Sequence, residues 1–136
     1  MADLAITALN VAMHATAPST SLVVYGEDVT HGQVVYRHTD GTHKLAKSGG
    51  TKAEAAAVGI ALTPGGANDS GIIAQKGSID LGATLTVGEI YVLSETAGAI
   101  APEADLVTGD YVTILGVASA ADQLELNVNP TGVQVP

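Results

Sequence analysis

Val29-Thr30-His31-Gly32-Gln33-Val34-Val35-Tyr36-Arg37-His38-Thr39-Asp40-Gly41-Thr42-His43-Lys44-Leu45-Ala46 decides the fold. A glycine opens an apolar run, an Asp-Gly pair closes it, and a second run follows. Asp-Gly between two apolar runs is a strong short-range hairpin signal, because the tight turn needs a residue that tolerates positive φ. Residues 33–38 and 42–46 are therefore expected to pair as a hairpin, with Gly32 in a turn just before the first strand.

The same plan recurs downstream. Leu85-Thr86-Val87-Gly88-Glu89-Ile90 matches Val29 to Val34 at an offset of 56, and Tyr91-Val92-Leu93 continues the strand. Ser94-Glu95-Thr96-Ala97-Gly98 then makes the turn with one extra residue, as a bulge or longer loop does. His43-Lys44-Leu45-Ala46 answers to Ala99-Ile100-Ala101-Pro102, and Val58-Gly59-Ile60-Ala61 to Leu115-Gly116-Val117-Ala118. Each copy ends in a strand candidate: Gly71-Ile72-Ile73-Ala74, then Leu124-Glu125-Leu126-Asn127-Val128. Four ordered matches at a nearly constant offset indicate an internal duplication. Gly59 and Gly116 lie inside strand patterns, where glycine marks a bulge, a bend or another backbone close by.

Between the matched strands lie the helix signals. Thr51-Lys52-Ala53-Glu54 has capping-box spacing and leads into three alanines. Pro102-Glu103-Ala104-Asp105 fits a second single turn, with Pro at its first position. Residues 1–22 stand outside the duplication. Leu4, Ile6 and Ala8 alternate, as do Leu9, Val11 and Met13, with a change of face between the sets. A bulged strand and a short helix after Asp3 both fit. Ala15 to Ser21, with Pro18, reads as a linker. The segment is an arm toward another subunit or a locally packed terminus.

The expected fold is therefore all-β: a small β-barrel or β-tulip-like domain with an internal duplication, one or two single-turn helices and an N-terminal arm. The arm covers residues 1–22. One β domain covers 23–136, with pseudo-repeats of about 23–80 and 81–130. Its 136 residues suit one domain, able to bury about two-thirds of the unfolded surface. There is no Phe or Trp, and the aromatics are Tyr25, Tyr36, Tyr91 and Tyr111. A core of Val, Ile, Leu and Ala buries little area per side chain, so added subunit contacts are expected.

Charge narrows the function classes. Five basic residues stand against fourteen acidic ones, a net charge of −9. Nucleic-acid binders neutralise phosphates with Lys and Arg, so neither nucleic acid nor an anionic membrane is an expected partner. Arg37, Lys44, Lys47 and Lys52 cluster, and no Lys or Arg follows Lys76. One face is expected to be mildly basic and the rest acidic. The first residues lack a basic n-region with a long apolar run, and no stretch reaches the roughly 20 apolar residues of a membrane helix. A soluble protein outside the general export route is expected. With no cysteine, disulfides and thiolate chemistry are excluded.

Reactive motifs are sparse. His38 and His43 flank a turn and stand near-opposite across the expected hairpin, but zinc needs three or four converging ligands and no third is indicated. His14 and His31 have no recognisable partner. Asn68-Asp69-Ser70-Gly71 reads as a turn, and nothing around Ser70 resembles a nucleophile elbow. Pro64-Gly65-Gly66 and Ser48-Gly49-Gly50 lack the Lys and Ser/Thr spacing of a phosphate loop. Glu27 with Asp28, and Glu103 with Asp105, are ordinary solvated pairs rather than a calcium site. No catalytic, cofactor or metal residue is assigned, and no enzyme activity is expected.

Gly32-Gln33-Val34-Val35-Tyr36, Asp40-Gly41-Thr42-His43-Lys44-Leu45-Ala46 and Ala57-Val58-Gly59-Ile60-Ala61-Leu62 resemble the capsid cement, or head decoration, proteins of tailed phages. So does the second copy, from Tyr91 through Ala97-Gly98-Ala99-Ile100-Ala101-Pro102 and Gly109-Asp110-Tyr111 to Ala118. The resemblance spans roughly residues 25–130 and rests on glycine-and-strand patterns. It implies trimers, with dimers in some relatives, bound to the major capsid protein on the outer face of an icosahedral shell. Such a virion component would be made in the host cytoplasm. No catalytic residue or cofactor is carried over. Leu4, Ile6, Leu9 and Val11, with Arg37, Lys44, Lys47 and Lys52, are the candidate contacts to capsid or neighbouring subunits. A second reading, from a different class, is an adhesive or glycan-binding module of a phage tail or cell surface, although sugar platforms usually present more aromatic rings. A third is a metal-dependent hydrolase using His38 and His43.

Overall fold

The structure, a computed structural model, describes residues 3, 4, 6, 11–13, 19–81 and 84–136, with backbone alone for 11–13. The fold is all-β: one curled antiparallel sheet forming a half-barrel. Its strands are β1 (Val11–Met13), β2 (Ser19–Val24), β3 (Val34–Arg37), β4 (His43–Leu45), β5 (Ala57–Ala61), β6 (Ser70–Leu81), β7 (Ile90–Leu93), β8 (Ile100–Pro102), β9 (Tyr111–Ala120) and β10 (Gln123–Gln134). The order is β4-β3-β5-β6-β10-β9-β7-β8, with β1 and β2 both added to β6.

That order is palindromic because the two halves repeat one pairing scheme. Val35 faces Leu45 and Gly59 in the first half, and Tyr91 faces Pro102 and Gly116 in the second. In the first half the β3–β5 ladder slips between Val35 and Tyr36. The β7–β9 ladder slips at the matching place, between Tyr91 and Val92. Gly32 donates to the Ala61 carbonyl at 2.8 Å, and Gly88 to the Ala118 carbonyl at 2.9 Å. Gly32, Gly41, Gly88 and Gly98 all have positive φ, between 79° and 88°, so both turns need glycine in both halves.

The helix signals are also met. Thr51 and Glu54 form a reciprocal capping box on α1 (Lys52–Ala55). Glu103–Asp105 form a single 3-10 turn, although Pro102 occupies its N-cap rather than its first helical position. One expectation is corrected. The linker over Ala15 to Ser21 gives way at Ser19, because β2 pairs along β6 from Ser19–Lys76 to Val24–Ser70. A boundary at residue 22 therefore falls inside a strand.

Each half has its own core of matching residues. Val29, Val35, Ala61 and Ile73 pack with Tyr25 in the smaller one. Their equivalents Leu85, Tyr91, Ala118 and Leu124 lie in the larger one. The larger core also takes the opposite face of the first half, through Val34, Tyr36, Ile60 and Ala74. The halves thus stack head to tail, and the back of the first covers the core of the second. β6 serves both cores. Ile73 is in the smaller, while Ile79 and Leu81 are in the larger. On an unbroken strand these odd-numbered positions would share one face. The β2–β6 ladder slips between them, where Ser19 and Thr20 pair with Lys76 and Ala74 and leave Gln75 as an extra residue, which reverses the alternation.

Candidate functional site

Both ends of the curled sheet are tied together through loop backbone. Val34 donates to the Gly98 carbonyl at 2.9 Å, and Gly98 donates to the Ala46 carbonyl at 2.7 Å. Ser48 donates to the Ser94 carbonyl at 2.9 Å, and Tyr111 to the Ser48 carbonyl at 2.9 Å. The tip of the second hairpin is therefore clamped between strands of the first half. A carboxyl group bears on this seam. Hydrogen bonding to Asp110, together with its charge, raises the Glu95 pKa above the usual glutamate range. Asp110 is buried and accepts the Val107 N–H at 3.1 Å.

The N-terminal candidates lie beside the seam. Asp3 accepts the Ser94 hydroxyl proton, and Leu4 donates its N–H to Ile100 at 2.7 Å. Leu4 and Ile6 are half-buried against the chain's own larger core. The same two residues line a cleft with the Thr30–Gln33 turn and the Thr96–Ala99 turn. Val11 is in β1, opposite Leu81. Leu9 lies outside the described residues.

The basic candidates gather only in part. Lys44 and Lys47 line a cleft with Glu27, Tyr36 and Glu54, and Arg37 lines an adjoining one with His38 and Thr51. Lys47 Nζ stands 3.8 Å from Glu54, so acids partly neutralise this face. Both partners are substantially exposed, and such a pair adds at most about 1 kcal/mol. Lys52 is apart, on α1 beside Gly132.

The histidine pair is corrected as well. His43 faces Arg37 across the hairpin, and His38 instead donates its N–H to the Thr42 carbonyl at 2.8 Å. His38 Nδ1 turns to Asp40 at 3.2 Å. His43 is buried with Nδ1 unpartnered, and burial followed by the Arg37 charge lowers its pKa. Asp40 accepts the backbone N–H and hydroxyl of Thr42, which holds its pKa down to about 2. Both histidines thus belong to hairpin structure. Among the described residues, no group of three or more His, Cys, Asp or Glu is placed to hold a metal ion.

The surface feature that sequence reading missed is on β2. Leu22 is 76% exposed, and it is paired with Ile72, itself 40% exposed. Val24, 42% exposed, extends the stripe along the same face. The signal was present in the apolar run Leu22-Val23-Val24-Tyr25, which has alternate residues to spare once Val23 and Tyr25 turn toward the smaller core. Neither a family model nor a curated protein sequence matches this chain.

Proposed function

We propose that this chain is a capsid decoration protein, which binds the outer face of a phage shell through the major capsid protein and stabilises it. One observation carries the reading. The strand order is duplicated, and the β3–β5 and β7–β9 ladders share one slip and the same turn glycines, across the stretch that resembles cement proteins. A doubled sheet with tied ends is a stiff body that presents surface, as a bridge between shell subunits requires. Assembly as a homo-oligomer, location on the virion exterior and synthesis in the host cytoplasm belong to the same proposal. The acidic charge suits a place away from packaged DNA.

Stabilisation follows from mass action. A ligand that binds the intact shell and not the ruptured one adds about 2.7 kcal/mol per site at a hundred times its dissociation constant. The glycan-binding reading loses support, because Tyr25, Tyr36 and Tyr91 are buried and Tyr111 is only partly exposed. The test is to add purified protein to shells that lack it. Saturable binding and a higher rupture temperature are expected. Shells that neither bind the protein nor gain heat resistance would refute the proposal.

A further inference from the structure

An edge strand leaves a row of backbone N–H and C=O groups open to pairing, and soluble proteins blunt such edges. Among the described residues, four strands border the sheet: β1, β2, β4 and β8. β1, β4 and β8 have three residues each. β4 also carries Lys44, and β8 ends in Pro102. β2 has none of these devices. It runs six residues, Ser-Thr-Ser-Leu-Val-Val, with neither charge nor proline. Among the described residues, β6 is the strand it pairs with. Its outward face carries Leu22 and Val24 beside Ile72.

We infer that β2 is a self-pairing edge, joining two copies of the chain through an antiparallel β2–β2 ladder about a two-fold axis. Charge selects the occupant. Two chains of net charge −9 repel over most of their surface. Residues 4–26 contain no Asp, Glu, Lys or Arg, so the two strands that would pair bring no like charges of their own into contact. Geometry agrees, because an antiparallel strand can always pair with its own copy, and one patch then serves both subunits. In a register that sets Leu22 opposite its symmetry mate, Val24 meets Thr20, and the exposed apolar stripes of the two copies become continuous. A six-residue edge buries less than the roughly 1,000 Å² of a tight interface, so the dimer forms by mass action at high concentration.

Sedimentation velocity from micromolar to millimolar protein tests the inference. The wild type should move from one chain to two. Leu22→Lys with Val24→Lys should remain one chain while keeping the wild-type circular dichroism, since both positions are exposed. The chain has no cysteine, so Leu22→Cys should give a disulfide-linked dimer under mild oxidation, and Val87→Cys, also well exposed but elsewhere, should not. A wild type that stays monomeric throughout, a mass of three chains, or a dimer unaffected by the lysines would overturn the inference. So would lysine variants that lose shell binding while self-association is unchanged, because the edge would then serve another protein. Shell binding is measured separately, so failure of β2 pairing leaves the decoration reading standing or falling on its own assay.

Discussion

Replacing Gly116 by alanine tests whether the repeated glycine is there for close backbone approach. A Cβ at this position would overlap the Glu125 carbonyl oxygen and lie 3.2 Å from the Leu126 Cα. Both obstacles are β10 backbone, and β10 is held on its other side by β6, through Glu125–Ser78 and Leu126–Gly77. It cannot retreat without stretching a second ladder. Overpacking of this kind costs about 1–3 kcal/mol, and a ladder bond lost with it about 1 kcal/mol more. The expected loss is about 2–4 kcal/mol, or roughly 6–15 °C in melting temperature for a domain of this size. Gly88→Ala is the control. It meets nothing within 4 Å, and its cost is the positive φ of 85° alone, about 1–2 kcal/mol. Gly59→Ala, whose Cβ would lie 2.6 Å from the Ala74 carbonyl oxygen, should rank with Gly116→Ala. Urea and thermal denaturation at one protein concentration measure all three. If Gly116→Ala is no worse than Gly88→Ala, the close-approach argument is wrong.

Glu95→Gln should raise the melting temperature at pH 7. A carboxyl whose pKa is raised by folding contributes stability below its unfolded pKa and loses it as pH rises through the folded value. The gain should therefore vanish near pH 4, and an equal gain at both pH values would refute the assignment. Asp40→Asn should have the opposite profile. The folded carboxylate titrates at about 2, so its contribution is present above the ordinary aspartate range and disappears as pH falls through about 2. A carboxyl NMR titration placing Asp40 in the ordinary range would contradict this. Tyr25→Phe removes the hydroxyl that donates to the Thr63 carbonyl at 2.7 Å, and should cost about 1 kcal/mol in urea denaturation. Burial raises the pKa of Tyr25 and of Tyr36, so absorbance at alkaline pH should show tyrosines ionising later than free tyrosine.

The hairpins, the capping box and the strand-interior glycines were legible in the sequence because each is fixed within a few residues. Asp40-Gly41 needs only its own turn, and Thr51 with Glu54 needs only one helical turn. Ser19 to Ser21 look like linker in the sequence because they are extended only through pairing with Ile73, Ala74 and Lys76, far along the chain. The asymmetry between the halves was also written in the chain. Val34-Val35-Tyr36 and Ile60-Ala61 are unbroken apolar runs whose residues are all buried, as strands covered on both faces require. Leu124-Glu125-Leu126-Asn127-Val128 alternates, as a strand with one wet face does. The candidate contacts fared differently, because nothing local says whether Leu4 and Ile6 pack on their own chain or on another.

Head-to-tail stacking raises the question of why the series stops at two. The back of the first half covers the second core with Ile60 and Ala74, among others. In the second half the ladder places Val117 and Glu125 at those positions. Val117 is 42% exposed and Glu125 is also exposed, so this face is open. Another core packed there would bury the Glu125 carboxylate, at a cost of several kcal/mol unless a cation met it. The Glu125 charge therefore closes the stacking direction.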